Sequence, residues 1–198
     1  LSAIEESLQH RRVLAQIKPD ASVADLASSL NNYSSIFYAL GHCEEALPPA
    51  TDALSIYRSL AQSRPNVFLP DLAVALNKYG NVLRGVRRFE EALGATLESI
   101  NFRRSLAQSR PGVFLRHLVA SLNNYADMLT HLGRQQEALT SVEESLQIER
   151  SLVKSTPNVY SPDLAMTLNT FAKVLANLRR WEEALHAQTE ALQPISGS

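Results

Sequence analysis

Residues 59–69 read SLAQSRPNVFL, and residues 105–115 read SLAQSRPGVFL, with Asn66 replaced by Gly112 as the only change. The two copies lie 46 positions apart and hold no group suited to catalysis, so the repetition marks a building block and not a duplicated active site. The same step organises the rest of the chain. Leu30, Leu76, Leu122 and Leu168 each precede an asparagine, at Asn31, Asn77, Asn123 and Asn169. Glu45-Ala46-Leu47 returns at Glu91-Ala92-Leu93, Glu137-Ala138-Leu139 and Glu183-Ala184-Leu185, and prolines recur at 19, 65, 111 and 157.

Two apolar patterns at three-and-four spacing fill each period and predict two helices. Leu72, Leu76, Tyr79, Gly80 and Leu83 predict a first helix from about Pro70 to Arg84, with Pro70 opening it and Asp71 in its first turn. Phe89, Ala92, Leu93, Thr96 and Ile100 predict a second from about Glu90 to Gln108, ended by the following proline. Asn66, Gly112 and Asn158 then suit a left-handed residue after the helix, and Val67-Phe68, Val113-Phe114 and Val159-Tyr160 would tuck the connection onto the core. Small residues allow close packing within each pair: Ser34, Gly80, Ala126 and Ala172 face Ala46, Ala92, Ala138 and Ala184. Gly41 and Gly133 suit the turn between the two helices, whereas Arg87 and Arg179 occupy it in the other copies and predict a looser turn there. Pro48-Pro49 is expected to bend one second helix or delay its start.

Composition narrows the function. With 198 residues, 45% of them apolar, the chain can bury a sizeable core. Nineteen basic against twenty acidic residues create no overall field for nucleic acid or an anionic membrane, so neither is expected as a partner. Apolar runs fall far short of the roughly 20 residues that span a bilayer. Cys43 is the only cysteine and no charged-then-apolar leader opens the chain, so a cytoplasmic setting is expected.

The order Leu-Asn-(Asn)-Tyr/Phe-small, a turn, aromatic-Glu-Glu-Ala-Leu and a closing proline resembles the tetratricopeptide repeat. LNNY, EEAL and IYRSLAQSRP resemble its extended, kinesin-light-chain-like form, as found in fungal and bacterial signalling proteins. The resemblance implies an all-α fold: a right-handed superhelical solenoid of antiparallel helix pairs with a 46-residue period. It divides the chain into a second helix of a truncated repeat (1–20), repeats at 21–66, 67–112 and 113–158, and a truncated repeat at 159–198. LSAIEESLQHRR at the start aligns with LTSVEESLQIER at 139–150, so the chain reads as excised from a longer solenoid.

In such an array the first helices line the concave surface. The resemblance places there Asn31, Asn77, Asn123 and Asn169, with Lys78, Asn124, Asn81, Asp127, Lys173, Arg84 and His131. A side-chain amide offers donors and an acceptor that match the backbone of an extended peptide, and in kinesin-light-chain-like repeats the corresponding asparagines are implicated in cargo-peptide contact. The bland reading is that they brace neighbouring repeats, and the sequence leaves both open. Residues 67–112 carry seven basic against four acidic side chains, so a protein or peptide ligand with an acidic residue is expected near Lys78 and Arg84. Arg103 and Arg104, on the outer helix, read as a solvated basic face. Chaperone-tail-binding members of the family clamp a terminal carboxylate with Lys/Arg pairs, and Ala120, Asn124, Met166 and Thr170 fill the matching places here, which disfavours that activity.

No catalytic residues, metal site or cofactor are expected. The paired glutamates at 44–45, 90–91 and 182–183 recur at helix starts, where the helix dipole accounts for them. The five histidines show no ligand spacing with one another or with Cys43, itself read as a small packing residue, and Phe89 and Trp181 read as core wedges. The expected function is a non-catalytic protein-interaction scaffold. The rival is a structural or self-associating regulatory arm of a larger signalling protein, pairing end to end through apolar helix faces.

Overall fold

The fold is seen in a computed structural model that describes residues 19–155 and 157–192. Among these residues there are helices and no strands. In chain order they are α1 (Pro19–Ala39), α2 (Cys43–Ser63), α3 (Pro65–Gly85), α4 (Phe89–Ser109), α5 (Pro111–His131), α6 (Gln135–Ser155), α7 (Pro157–Asn177) and α8 (Trp181–Leu192). The chain forms two compact units, one extending to Phe102 and the other beginning at Arg103, with the division inside α4. The expectations for residues 1–18 and 193–198 lie outside the described residues.

The first helices begin earlier than the sequence suggested. Pro65 opens α3 and Pro111 opens α5, so Asn66 and Gly112 sit in the first helical turn and not at a left-handed cap. The proline ring bars its predecessor from helical geometry, and Arg64 (φ −139°) and Arg110 (φ −140°) are accordingly extended. One residue therefore ends one helix and joins it to the next, with no loop. Arg64 stacks its guanidinium over Phe68 at 4.9 Å and Arg110 over Phe114 at 5.1 Å, holding the kink against the core. Phe68 and Phe114 are buried, but Val67 and Val113 stay more than half exposed, so only the aromatic of each pair tucks inward. Pro48 and Pro49 lie within α2, which still starts at Cys43, so they do not delay it.

The turn inside each pair is the same in all four copies, contrary to the looser geometry expected at arginine. Gly41 (φ 81°), Arg87 (φ 64°), Gly133 (φ 73°) and Arg179 (φ 60°) all take the left-handed conformation. At each, the residue's own N–H bonds the carbonyl three residues back and the next N–H bonds the one five back, as in Arg87 N to Arg84 O (3.0 Å) and Arg88 N to Leu83 O (2.9 Å). Those two bonds and the packing they permit outweigh the roughly 1 kcal/mol of strain at an arginine.

Small residues seal the pairs as the sequence indicated. Ala46, Ala92 and Ala138 are fully buried, and the Ser34 hydroxyl reaches the Ala46 carbonyl at 2.9 Å. In the first unit Leu54, Tyr57, Phe68, Leu72 and Leu76 form a core between α2 and α3. In the second, Leu146, Val153, Leu164, Leu168 and Ala172 do so between α6 and α7. Trp181 is not the expected wedge. It is 63% exposed.

Candidate protein-binding face

Within each unit, side chains 46 residues apart on successive first helices meet. In the first unit, Lys78 Nζ donates to Asn32 Oδ1 at 3.5 Å and Arg84 Nη2 donates to Tyr38 Oη at 2.8 Å. In the second, Lys173 Nζ donates to Asp127 Oδ1 at 2.6 Å, while His131 Nε2 lies 3.5 Å from the other Asp127 oxygen. These residues share a face because one repeat step returns the helix to the same orientation. Burial lowers the pKa of Lys78 below that of an exposed lysine.

The asparagines divide by depth. Asn31 and Asn123 are buried, Asn77, Asn81 and Asn124 half-buried, and Asn169 exposed. Asn123 Nδ2 donates to Thr167 Oγ1 and its Oδ1 accepts from Ser145 Oγ, each at 2.8 Å, so one amide joins α5 to both α6 and α7. Asn169 Oδ1 accepts from Gln188 Nε2 at 3.0 Å. Asn81 differs: its Oδ1 is buried and has no hydrogen-bond partner. The face thus mixes bracing amides with a buried amide oxygen that has no donor.

Charge on the second helices is largely spent on support. Arg58 pairs with Glu98 (2.6 Å), Arg104 with Glu144 (2.6 Å) and Arg150 with Glu190 (2.9 Å), linking helices 40 residues apart in sequence. Arg103 overturns the expectation of a solvated basic face. Only 5% exposed, it donates to the His117 carbonyl and the Ser121 hydroxyl, both at 2.5 Å, and burial pulls its pKa down to about 10. The helix-start glutamates are braced as well as favoured by the dipole. Arg88, Arg134 and Arg180 each bridge a glutamate three residues on, and that bond holds Glu91, Glu137 and Glu183 below the usual carboxylate range.

The sequence reading missed a buried acid. Glu149 occupies the place of Tyr57 and Arg103 in the other copies, is 1% exposed, and has an Oε2 without a hydrogen-bond partner. Burial, with Asp163 adding to it and Arg116 opposing, raises its pKa to about 7. The signal was available: a charged residue at 103 and 149 in a column that Tyr57 marks as inward-facing. Among the described residues, no group of three His, Cys, Asp or Glu side chains could hold a metal ion. No helix among them is long and apolar enough to cross a membrane.

Comparison with known proteins agrees with this architecture. The family described as tetratricopeptide repeat matches residues 26–64, 118–158 and 164–193. Among solved structures, a putative kinesin light chain from Podosopora anserina with nearly identical TPR-like repeats aligns at TM-score 0.68 and 14% identity. The alignment covers 95% of this chain and 85% of that one. BtubC (BKLC) from P. vanneervenii aligns at 0.57 and 17% identity, over 96% and 87% of the two chains. The apo form of RapI aligns at 0.70 and 16% identity, over 95% of this chain and 62% of that one. At such identities the likeness shows a shared solenoid fold. No curated protein matches the chain.

Proposed function

From the premise that this chain belongs to the tetratricopeptide repeat family, we propose that it holds an extended segment of another protein against the first-helix face and performs no catalysis. Repeats of this family are protein-interaction scaffolds, and the chain is one in that general sense. The finer reading concerns where the segment lies. One observation carries it: Asn81 Oδ1, on the face that also bears Asn77, Lys78 and Arg84, is a buried acceptor with no donor. An unpaired acceptor is costly to keep, and a peptide N–H would satisfy it.

Lys78 and Arg84 add positive charge beside Asn81, which suits a ligand with an acidic residue. Two of the acceptors they meet, Asn32 and Tyr38, are neutral and can be exchanged for a carboxylate. In the second unit the corresponding contacts come from Asn124, Asp127, His131, Asn169 and Lys173, while Asn31 and Asn123 brace from beneath. A cytoplasmic setting fits this reading.

A peptide library titrated against the protein tests it. Replacing Asn77, Lys78, Asn81 and Arg84 together by alanine should abolish binding of the selected peptides. Undiminished binding would place the site elsewhere. The rival reading, a self-associating arm, has its own support in Trp181, Leu185 and Leu192, which are 63%, 69% and 77% exposed on α8.

A further inference from the structure

Glu149 lies against a cavity of about 410 Å³ in the second unit, bounded by α5 and α7. Among the described residues, Val113, Val119 and Met166 supply apolar wall, and Arg116, His117 and Asp163 supply the other charged or titratable groups. Val113 and Met166 are 52% and 57% exposed, so the cavity opens to solvent. Glu149 itself is 1% exposed, and its Oε2 is the buried atom without a donor.

The neighbours do not relieve it. Arg116 Nη2 is engaged with Asp163 Oδ2 at 2.6 Å, and His117 Nδ1 lies 2.9 Å from the Val113 carbonyl on its own helix. The other copies solve the same position internally: Arg103 is satisfied by the His117 carbonyl and Ser121, and Tyr57 bonds Ser28. A buried carboxylate oxygen is retained at a cost unless something supplies a donor.

We propose that this cavity is a subsite for a primary ammonium group, supplied by a lysine side chain of a bound polypeptide, with Glu149 receiving the head and the apolar wall sleeving the four-carbon stem. Two carboxylates against one arginine and a histidine favour a cation over an anion. A metal ion lacks the ligand set. A guanidinium fork seeks both oxygens of a carboxylate, and Asp163 has already committed one to Arg116, whereas an ammonium is a point donor that one oxygen can anchor. The ammonium subsite stands on this geometry alone, and lysine as its source rests on the reading of the face as a polypeptide site.

Titrating the ¹⁵N-labelled protein with n-butylammonium at pH 8, beside neutral 1-butanol of the same shape, tests the subsite. Saturable shifts are expected at the amides of 112–120 and 163–166, with binding about tenfold tighter than the alcohol and lost about tenfold in Glu149→Gln. The affinity should rise from pH 6 to 8 by more in the wild type than in the variant. Glu149→Gln is nearly isosteric, and its unshifted far-UV circular dichroism would show that it folds. Equal binding of amine and alcohol, or an unchanged affinity in Glu149→Gln, overturns the subsite. A second pair, acetyl-Ala-Ala-Lys-Ala-Ala-amide and its norleucine counterpart, tests the source. Preference for lysine lost in Glu149→Gln supports it, and no preference while n-butylammonium still binds refutes the polypeptide source alone.

Discussion

Replacing Gly80 by alanine adds a methyl group where the first unit has no room for it. A Cβ built there would lie 2.5 Å from Thr96 Oγ1 and 3.2 Å from the Ala92 carbonyl oxygen. Thr96 is fully buried and β-branched, so it cannot swing aside cheaply. Overpacking of this kind costs about 1–3 kcal/mol. Ala126 and Val142, the residues at the corresponding positions of the second unit, are both fully buried, so a slightly wider helix spacing is attainable and the cost should lie near 2 kcal/mol. Alanine returns about 1 kcal/mol through its helix propensity, leaving Gly80→Ala destabilised by about 1 kcal/mol. The cycle with Thr96→Ala isolates the clash. In the double variant the methyl fits, as at the corresponding positions Ser34 and Ala50, both buried, and the coupling energy should be about 2 kcal/mol in favour of the pair. Urea denaturation of the four proteins, followed by circular dichroism, measures it. A stabilising Gly80→Ala with coupling below about 0.5 kcal/mol would refute the reasoning, because the close approach would then exert no force.

Two further outcomes follow from buried polar groups in the second unit. Glu149 has a folded-state pKa of about 7 against an ordinary 4.5, so the folded protein holds its proton more tightly and loses stability as pH rises through that window. At about 1.4 kcal/mol per pH unit the ceiling is about 3 kcal/mol, which water in the cavity reduces to roughly 1–2. Glu149→Gln should therefore match the wild type near pH 4.5 and exceed its thermal stability increasingly up to pH 8, and a pH-independent difference would contradict the burial of the carboxylate. Asn123→Ala leaves Ser145 and Thr167 without their partner and should cost about 2–3 kcal/mol, whereas Asn169→Ala, at an exposed site, should change stability by less than about 0.5. Equal losses in thermal melts would remove the distinction between bracing and open amides.

Much of the fold was legible because it depends on local and periodic features. Leucines at three-and-four spacing can bury together only on helices, and small residues at Ser34, Gly80 and Ala126 fix how closely the helices approach. Proline, however, was read as a stop and the residues after it as loop. Pro65 both ends α2 and begins α3, since the bar on helix applies to Arg64 before it and a first-turn proline forfeits no bond. Arg87 misled in the opposite direction, because its strain is local whereas the bonds and packing that outweigh it are not.

By itself the sequence determined the class of fold and the helix pairs, which follow from side-chain spacing along a helix of known pitch. Only the tertiary structure decided what each polar side chain does on that scaffold. Asn81 and Asn123 are both first-helix asparagines, yet Asn123 is enclosed by Ser145 and Thr167 while Asn81 keeps an unanswered oxygen. Likewise Arg103 and Glu149 hold corresponding positions, but the His117 carbonyl and Ser121 hydroxyl satisfy the guanidinium, whereas the carboxylate keeps an Oε2 without a donor. Hydrogen-bond satisfaction depends on partners tens of residues away, and those are brought within 3 Å only when the helices pack.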